Sequence, residues 1–176
     1  MLHLLLFRHA KSSWADPRLD DHDRPLNERG ERDASRMGEF IGTLDLRLEL
    51  ILCSTANRAR ETLRLALPGA ISKGVPAIRF ERGLYEVEEN VIRRRLERIP
   101  DATSSVLVVG HNPGMHKLAL RLMSGDPNSA SLPFVAKYPT SALSVLASSR
   151  SNWKRATWDR WRLETFMTPK HLQAPG

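Results

Sequence analysis

The chain has 176 residues, 41% of them hydrophobic, and carries a formal net charge of +7 with one cysteine. This length is typical of one domain with its own core, so we expect a single domain over residues 1–176, and the lone Cys53 excludes an internal disulfide bond. The charge favours acidic partners, whether a phosphorylated substrate, an acidic protein surface or nucleic acid. No apolar run approaches the roughly 20 residues of a membrane span, and the first residues lack the pattern of a signal peptide, so we expect a cytoplasmic protein with no membrane partner.

The first predicted unit is a strand followed by a helix. Residues 4–7 form an apolar run that is too short for a helix and typical of a strand covered on both faces. After a polar loop at 11–24, Asn27 is suited to cap a helix whose apolar residues repeat at helical spacing as far as Leu44.

The second unit repeats this order. An apolar run at 50–53 predicts another covered strand, and residues 57–67 repeat apolar side chains at helical spacing. Pro68 and Gly69 are expected to end that helix.

The second half of the chain continues the alternation. A short strand at 77–80 precedes a predicted helix at 88–98, and the apolar strand at 106–109 feeds a helix with apolar residues spaced over 115–122. The segments 143–147 and 156–166 are predicted to be two further strands that pair as a hairpin or at an edge. The order of the elements predicts an α/β fold with a mostly parallel sheet.

Polar residues follow three of the predicted strands directly. Arg8 and His9 follow the first, Arg58 lies shortly after the second, and His111 and Asn112 follow the strand at 106–109. In open α/β sheets, sites form beyond the carboxyl ends of the strands, so residues far apart in sequence can converge there. We therefore expect His9, Arg58 and His111 to share one pocket.

These residue types suit phosphoryl transfer through a histidine. A neutral His9 can attack phosphorus, and Arg8 and Arg58 can donate paired hydrogen bonds that match phosphate geometry. His111, protonated beside a bound anion, would add positive charge, and backbone amides of the helix after Asn112 would point toward the same place. Each of these groups favours a dianionic oxyanion.

The roles of three flanking residues stay open at this point. Ser12 and Lys11 either contact phosphate or only cap and solvate their loop. Ser54 either orients Arg58, binds phosphate or caps a turn.

An acidic stretch interrupts the loop before the first helix. Asp16, Asp20, Asp21 and Asp23 lack the glycine and terminal glutamate of a calcium loop, so we interpret them as a solvated turn that can pair with Arg24 or with a basic substrate. We expect no metal site.

Cys53 raises the alternative of a cysteine phosphatase, in which a thiolate precedes a phosphate loop that ends in arginine. That class has arginine six positions after the cysteine, where this chain has Ala59, and its loop contains glycine. We therefore interpret Cys53 as a buried strand residue.

The tail mixes tryptophan and basic residues, a composition that suits single-stranded nucleic acid. Its alternation favours a strand with inward tryptophans and outward arginines, so we expect no nucleic-acid partner. The residues concerned are Trp153, Lys154, Arg155, Trp158, Arg160, Trp161 and Arg162.

Three main motifs occur in a characteristic order, and three supporting stretches extend the similarity over nearly the whole chain. Together they resemble the histidine phosphatase superfamily, and in particular its SixA branch of phosphohistidine phosphatases. The main motifs are LFRHAKS at 6–12, STANRARET at 54–62 and GHNP at 110–113, and the supporting stretches are DRPLNERG at 23–30, LYE at 84–86 and YPTSAL at 138–143.

The resemblance implies a role for each site residue. His9 would be the nucleophile that becomes phosphorylated, Arg8 and Arg58 would hold the phosphoryl group, and His111 would complete the pocket. Glu86 matches the position of the proton donor in many members, although two more glutamates lie close by at 88 and 89. The superfamily usually has glycine where this chain has Ala10, which implies a backbone without positive φ there.

The resemblance also implies the fold and the activity. The fold would be a three-layer sandwich with a mostly parallel central sheet flanked by helices, forming a single histidine phosphatase domain over 1–176. The activity would be a metal-independent, cofactor-free phosphatase acting on protein-borne phosphohistidine, with Ser12 and Asn112 as further phosphate ligands. The expected partner is a phosphorylated protein, such as a histidine phosphotransfer domain.

Other functions remain as alternatives. One is a phosphatase of small-molecule phosphoesters on the same fold, and another is a basic module that binds anions or nucleic acid without turnover. A phosphoglycerate mutase is less expected, because that branch has more chain to enclose its substrate and an asparagine where Ala15 stands.

Overall fold

A six-stranded mixed sheet forms the centre of the computed structural model, which describes residues 1–123, 136–156 and 161–173. The strands in chain order are β1 (Leu2–Arg8), β2 (Leu50–Ser54), β3 (Ala77–Glu81), β4 (Ser105–Gly110), β5 (Leu143–Ser148) and β6 (Arg162–Met167). The helices are α1 (Glu28–Thr43), α2 (Asn57–Ala70), α3 (Glu89–Leu96), α4 (Gly114–Leu122) and the short α5 (Trp153–Ala156).

The strand order across the sheet is β3-β2-β4-β1-β5-β6. The pairs β1–β4, β2–β4 and β2–β3 are parallel, whereas β1–β5 and β5–β6 are antiparallel. The predicted mostly parallel α/β sheet is therefore confirmed, with an antiparallel pair at one edge as expected for the last two strands. The parallel part places the carboxyl ends of β1, β2 and β4 side by side.

Helices cover both faces of the sheet, as expected for a three-layer sandwich. On one face, Leu4 and Leu6 of β1 pack in a core with apolar residues of α3 and α4. On the other face, Leu5 and Phe7 pack with residues of α1 and α2. Because successive side chains of a strand point to opposite faces, the continuous apolar run of β1 supplies both cores, and each fully buried side chain contributes about 1.5–3 kcal/mol.

Helix α1 begins as the sequence predicts. The Asn27 side chain accepts a hydrogen bond from the Gly30 backbone at 2.9 Å, which satisfies one of the free N–H groups at the helix start. Ala34, Met37 and Ile41 form its buried stripe.

Helix α2 extends further than predicted, because Pro68 lies inside it and the helix ends at Ala70. The expectation that Pro68 and Gly69 end the helix is therefore wrong. The reason is tertiary: Gly69 lies so close to α1 that a Cβ there would be 2.6 Å from the Glu39 nitrogen. Packing against α1 stabilises this last turn although Pro68 donates no backbone hydrogen bond.

The predicted strand at 156–166 begins later than expected. The strand β6 starts at Arg162, and Trp153–Ala156 forms α5, where the Asn152 side chain accepts from the Arg155 backbone at 3.1 Å in the manner of an N-cap. Trp153 is fully buried, and its indole N–H donates to the Thr103 carbonyl at 2.7 Å. These tertiary contacts favour a helical turn over an extended strand.

The expected alternation of buried tryptophan and exposed arginine holds at Trp161 and Arg162. The Trp161 ring lies 5.9 Å from that of Trp153, so the two indoles pack together in the core. The predictions for Trp158 and Arg160 fall at positions that lie outside the described residues.

Candidate active site

Three strand ends bring His9, Arg58 and His111 together, as the sequence predicts. His9 follows β1 and His111 follows β4, and their ring centres are 5.0 Å apart. Arg58, in the first turn of α2, directs its Nε at the His9 Nε2 atom over 3.4 Å. The exposed fractions of His9, Arg58 and His111 are 8%, 1% and 3%, so the group is almost completely shielded from solvent.

The hydrogen bonds of His9 assign its tautomer. Its Nδ1 lies 2.8 Å from the Ala10 carbonyl oxygen, which can only accept, so Nδ1 carries the proton and Nε2 presents a lone pair. Burial, together with the positive charges of Arg58 and Arg8, lowers the pKa of His9 to about 3 against the opposing effect of the Ala10 hydrogen bond. The ring is therefore a neutral nucleophile at physiological pH.

Ala10 fits the position at which the superfamily usually has glycine. It is fully buried and is absent from the described residues with positive φ, as predicted. Its N–H donates to Thr62 Oγ1 at 2.9 Å, and Thr62 in turn donates to the Arg58 carbonyl at 2.6 Å. This pair of hydrogen bonds ties the nucleophile loop to the first turn of α2.

His111 is held by Ser54, whose role was left open by the sequence. The Ser54 hydroxyl lies 2.8 Å from His111 Nε2 and also accepts from the Ala56 N–H at 3.3 Å. Ser54 therefore orients His111 and caps the turn before α2. The Ser54 hydroxyl can donate to Nε2 or accept from it, so this contact fixes the ring and leaves both tautomers of a neutral His111 open.

His111 is neutral in these surroundings. Burial, followed by the effects of His9 and Arg58, lowers the pKa of His111 to about 2. From the sequence we expect a protonated His111 only beside a bound anion, because a positive ring requires the negative charge of a phosphoryl group next to it. That expectation stays a prediction.

Arg58 is held by two carboxylates and one carbonyl. Its Nη1 donates to the Asp21 carbonyl at 2.5 Å, and its Nη2 lies 2.9 Å from both Asp21 Oδ2 and Glu86 Oε1. Glu86 has a φ of 48° and a half-exposed side chain. The residue expected to be the proton donor is therefore next to the arginine that is expected to bind phosphate.

Asp21 is a site residue that sequence reasoning missed, because we interpreted its stretch as a solvated turn. Its Oδ1 accepts two hydrogen bonds from Arg24, at 2.6 and 2.9 Å, and its Oδ2 accepts from Tyr85 at 2.6 Å as well as from Arg58. Burial alone would raise the pKa of Asp21, but the bonds from Tyr85, Arg24 and Arg58 outweigh it and hold that pKa well below its usual value. The pairing with Arg24 was the only signal in the sequence.

Tyr138 is a second missed residue, and it orients two predicted phosphate ligands. Its carbonyl oxygen accepts from Arg8 Nη1 at 2.7 Å and from Asn112 Nδ2 at 2.9 Å. Its own hydroxyl donates to the Leu6 carbonyl at 2.6 Å and accepts from the Ser144 N–H at 3.1 Å. Tyr138 thereby connects the site to β1 and β5.

Several polar atoms of the site residues and their neighbours lack a partner in the described part of the chain. Arg8 Nε, His111 Nδ1, Asn112 Oδ1 and Ser141 Oγ are buried without a hydrogen-bond partner among the described residues, and the Ser141 N–H donates to the His9 carbonyl at 3.2 Å. Buried polar groups are normally satisfied, so such atoms call for a ligand or ordered water. Arg8 Nε, which can only donate, is suited to bind an anion.

Three further residues considered from the sequence, Ser12, Lys11 and Cys53, have other surroundings. The Ser12 hydroxyl is buried and accepts from Arg24 at 3.0 Å, which supports its role in bracing the loop, and Lys11 is exposed. Cys53 is fully buried, and burial raises the pKa of its thiol to about 12, so it is not a thiolate nucleophile. Phosphate binding by Ser12 and Asn112 stays a prediction.

The described residues contain neither a metal-binding cluster nor a membrane-spanning helix. Over residues 1–123, 136–156 and 161–173, no three or more His, Cys, Asp or Glu side chains are grouped so that they could hold a metal ion. In the same part of the chain, none of the helices combines the length and the apolar character that crossing a membrane requires.

Comparisons with known proteins agree with this geometry. The model of the histidine phosphatase superfamily (branch 1) matches residues 4–90. A crystal structure from Agrobacterium tumefaciens, of a protein assigned as phosphohistidine phosphatase SixA, is 32% identical over 99% of both chains, with a TM-score of 0.78. A structure with the same assignment from Nakamurella multipartitia is 26% identical over 96% of both chains, with a TM-score of 0.81.

The similarity also extends along the whole sequence of a further relative. An uncharacterized protein of Mycobacterium leprae is 35% identical over 170 residues, which cover 93% of this chain and 99% of the relative. The shared fold, the convergent His9, Arg58 and His111, and these matches lead to one conclusion. The chain belongs to the histidine phosphatase superfamily, in its SixA-like branch.

Proposed function

We propose that this protein is a metal-independent phosphatase that removes the phosphoryl group from protein-borne phosphohistidine through a phosphorylated His9. Membership of the superfamily implies phosphatase activity. The observation that carries the finer proposal is the neutral His9, whose unprotonated Nε2 accepts a long hydrogen bond from Arg58 Nε at 3.4 Å. The similar SixA structures support the choice of substrate.

In the first step, His9 Nε2 attacks phosphorus in line with the bond to the leaving imidazole nitrogen. A bond from Nε2 to phosphorus forms while the bond from phosphorus to the substrate nitrogen breaks. The electron pair of the broken bond goes to that nitrogen, which takes a proton from Glu86; for this step Glu86 is in its carboxylic acid form. Arg8, Arg58 and His111 stabilise the charge on the three equatorial oxygens. Loss of one such donor costs about 100-fold or more in rate.

In the second step, water attacks the phosphohistidine at His9. Glu86, now a carboxylate, takes a proton from the water as the new P–O bond forms. The bond from phosphorus to Nε2 breaks, its electron pair returns to His9, and inorganic phosphate leaves. Glu86 thus acts first as acid and then as base.

The test is turnover of a phosphohistidine protein and of an aryl phosphate, with a chelator present and no added metal. The wild type is expected to hydrolyse the phosphohistidine protein and to form an acid-labile phosphoenzyme, and His9→Ala is expected to lose both properties. His171→Ala, which removes an exposed histidine, is the matched control and should be unchanged. Full activity of His9→Ala would disprove the mechanism, and turnover of the aryl phosphate alone would favour the small-molecule alternative.

A further inference from the structure

Trp14 is an unusually exposed aromatic residue connected to the candidate site. Its side chain is 72% exposed, whereas Trp153 and Trp161 are buried in the core. It lies in the loop between β1 and α1, which the backbone bridge between Ser12 and Leu26 closes. Contact of a large apolar side chain with water is unfavourable, so an exposed tryptophan calls for an explanation. Tryptophan is enriched at the centres of protein interfaces.

Arg24 packs against one face of the Trp14 ring and fixes its orientation. The guanidinium carbon of Arg24 lies 3.5 Å from the centre of the indole ring, as in a cation–π contact. Arg24 itself is buried and donates to Ser12, Ser13 and Asp21, so its position does not depend on the indole. One face of the ring is therefore covered and the other is open to a partner.

The same contacts connect this surface to the nucleophile. Arg24 binds Asp21, Asp21 binds Arg58 at 2.9 Å, and Arg58 contacts His9 at 3.4 Å. A partner that packs on Trp14 is thereby placed at a defined position relative to His9. Such pre-organisation reduces the loss of side-chain entropy on binding.

The charges around Trp14 indicate the chemistry of the partner. Leu19, in the same loop as Trp14, is a second exposed apolar side chain with an exposed fraction of 41%, and Asp20 and Asp23 of this loop are exposed. Arg18 is exposed too, but its charge is paired with Asp16 at 2.8 Å. The candidate site itself contains Arg8 and Arg58. The arginines of the site match the negative charge of a phosphoryl group, and the exposed Asp20 and Asp23, here called the acidic rim, match a basic residue close to that group.

We propose that Trp14 and Leu19 form a docking surface for a phosphohistidine protein whose apolar and basic side chains flank the modified histidine. The inference rests on the proposed function, because it names the feature that separates a protein substrate from a small one. Trp14 acts in substrate docking and has no part in the phosphoryl transfer itself.

The test compares two substrates that carry the same phosphohistidine. One is a four-helix histidine phosphotransfer domain, phosphorylated with phosphoramidate and chosen with a basic residue beside its histidine, and the other is a short peptide of the same local sequence. Trp14→Ala is expected to raise KM for the domain about 10-fold, as for an interface hot spot, with kcat unchanged and peptide kinetics unchanged. Trp14→Phe should keep most of the affinity.

Phe80→Ala is the control, because Phe80 is also exposed and also lies over an arginine, Arg60, but belongs to the edge strand β3. It should behave as the wild type with both substrates. An unchanged KM for the domain in Trp14→Ala, an equal rise for peptide and domain, or the same effect in Phe80→Ala would overturn the docking surface. A wild type that hydrolyses neither substrate, yet hydrolyses an aryl phosphate, would overturn the proposed function itself.

Discussion

His9 owes its reactivity to neighbours of two kinds. A sequence neighbour, the Ala10 carbonyl, holds the proton on Nδ1, while burial by spatial neighbours, and to a smaller extent the charge of Arg58, disfavours the charged form. His111 is kept neutral by the same physical effects. The protonation of these two site histidines therefore contributes to the pH dependence of the free energy of unfolding.

Lowered histidine pKa values predict a loss of stability in mild acid. An unfolded histidine titrates near 6.5, whereas His9 and His111 in the fold titrate at about 3 and about 2. Below pH 6.5 the unfolded chain therefore binds more protons, and stability that is complete above this pH is lost as the pH falls toward 3, by about 1.4 kcal/mol per pH unit for each histidine.

Urea unfolding at pH 7.5, 6 and 5 checks this expectation. The double variant His9→Gln, His111→Gln should lose much less stability than the wild type over this range, because neither glutamine takes up a proton. Equal pH dependence of the two proteins would show that the acid sensitivity arises from groups other than these two histidines.

Asp21 is predicted to position Arg58. Asp21→Asn removes the negative charge. It also replaces one of the two carboxylate oxygens, which together accept hydrogen bonds from Arg24, Tyr85 and Arg58, by an amide NH₂ group that can only donate. We expect kcat/KM to fall about 10-fold or more, since hydrogen bonds to charged groups contribute about 1.5–3 kcal/mol.

The matched control for this variant is Asp45→Asn. The Asp45 side chain is exposed, lies outside the loop that carries Asp21, and pairs with Lys73 at 3.0 Å. Its kcat/KM should stay within about 2-fold of the wild type, as for a surface ion pair. A similar loss in both variants would show that the effect arises from the net charge of the protein and not from Arg58.

At the scale of elements, the crossing of α1 and α2 fixes the position of Arg58. Gly38 of α1 faces the backbone of Ala66 in α2, and Gly69 of α2 faces the backbone of α1. The absence of side chains at both positions lets the two helices approach closely, and the first turn of α2 carries Arg58 to the pocket.

Gly38→Ala is expected to destabilise the fold by about 1–3 kcal/mol, because its Cβ would overlap backbone atoms of Ala66 that cannot move aside. Gly83→Ala is the control, since a Cβ there meets nothing within 4 Å. The midpoint of urea unfolding measures both changes. A Gly38→Ala protein as stable as the wild type would mean that α1 and α2 can separate without loss.

At the scale of the whole molecule, the sheet separates the two main apolar cores. The candidate site lies at the edge where the parallel strands have their carboxyl ends. The cationic groups at that edge lie in a chain with a net charge of +7. This surplus raises the local concentration of phosphorylated substrates around the molecule, while the acidic rim near Trp14 gives local discrimination. The single-domain organisation over 1–176 stays a prediction.

The sequence by itself determined the six strands and the helices α1 to α4, and where the sheet edge lies. Local pattern suffices for this, because apolar runs such as 106–109 and the cap at Asn27 depend on neighbours along the chain. The same reasoning predicted that His9, Arg58 and His111 meet, since strands of one parallel sheet end at one edge.

Only the tertiary structure decided the partners of those residues. Asp21 and Tyr138 contact Arg58 and Arg8 across 37 and 130 positions, and no local pattern records such pairings. Close packing against α1 likewise allows α2 to continue past Pro68, and burial lowers the pKa of His111. Propensity and spacing act within a few residues, whereas solvent exclusion and hydrogen bonding depend on the whole fold.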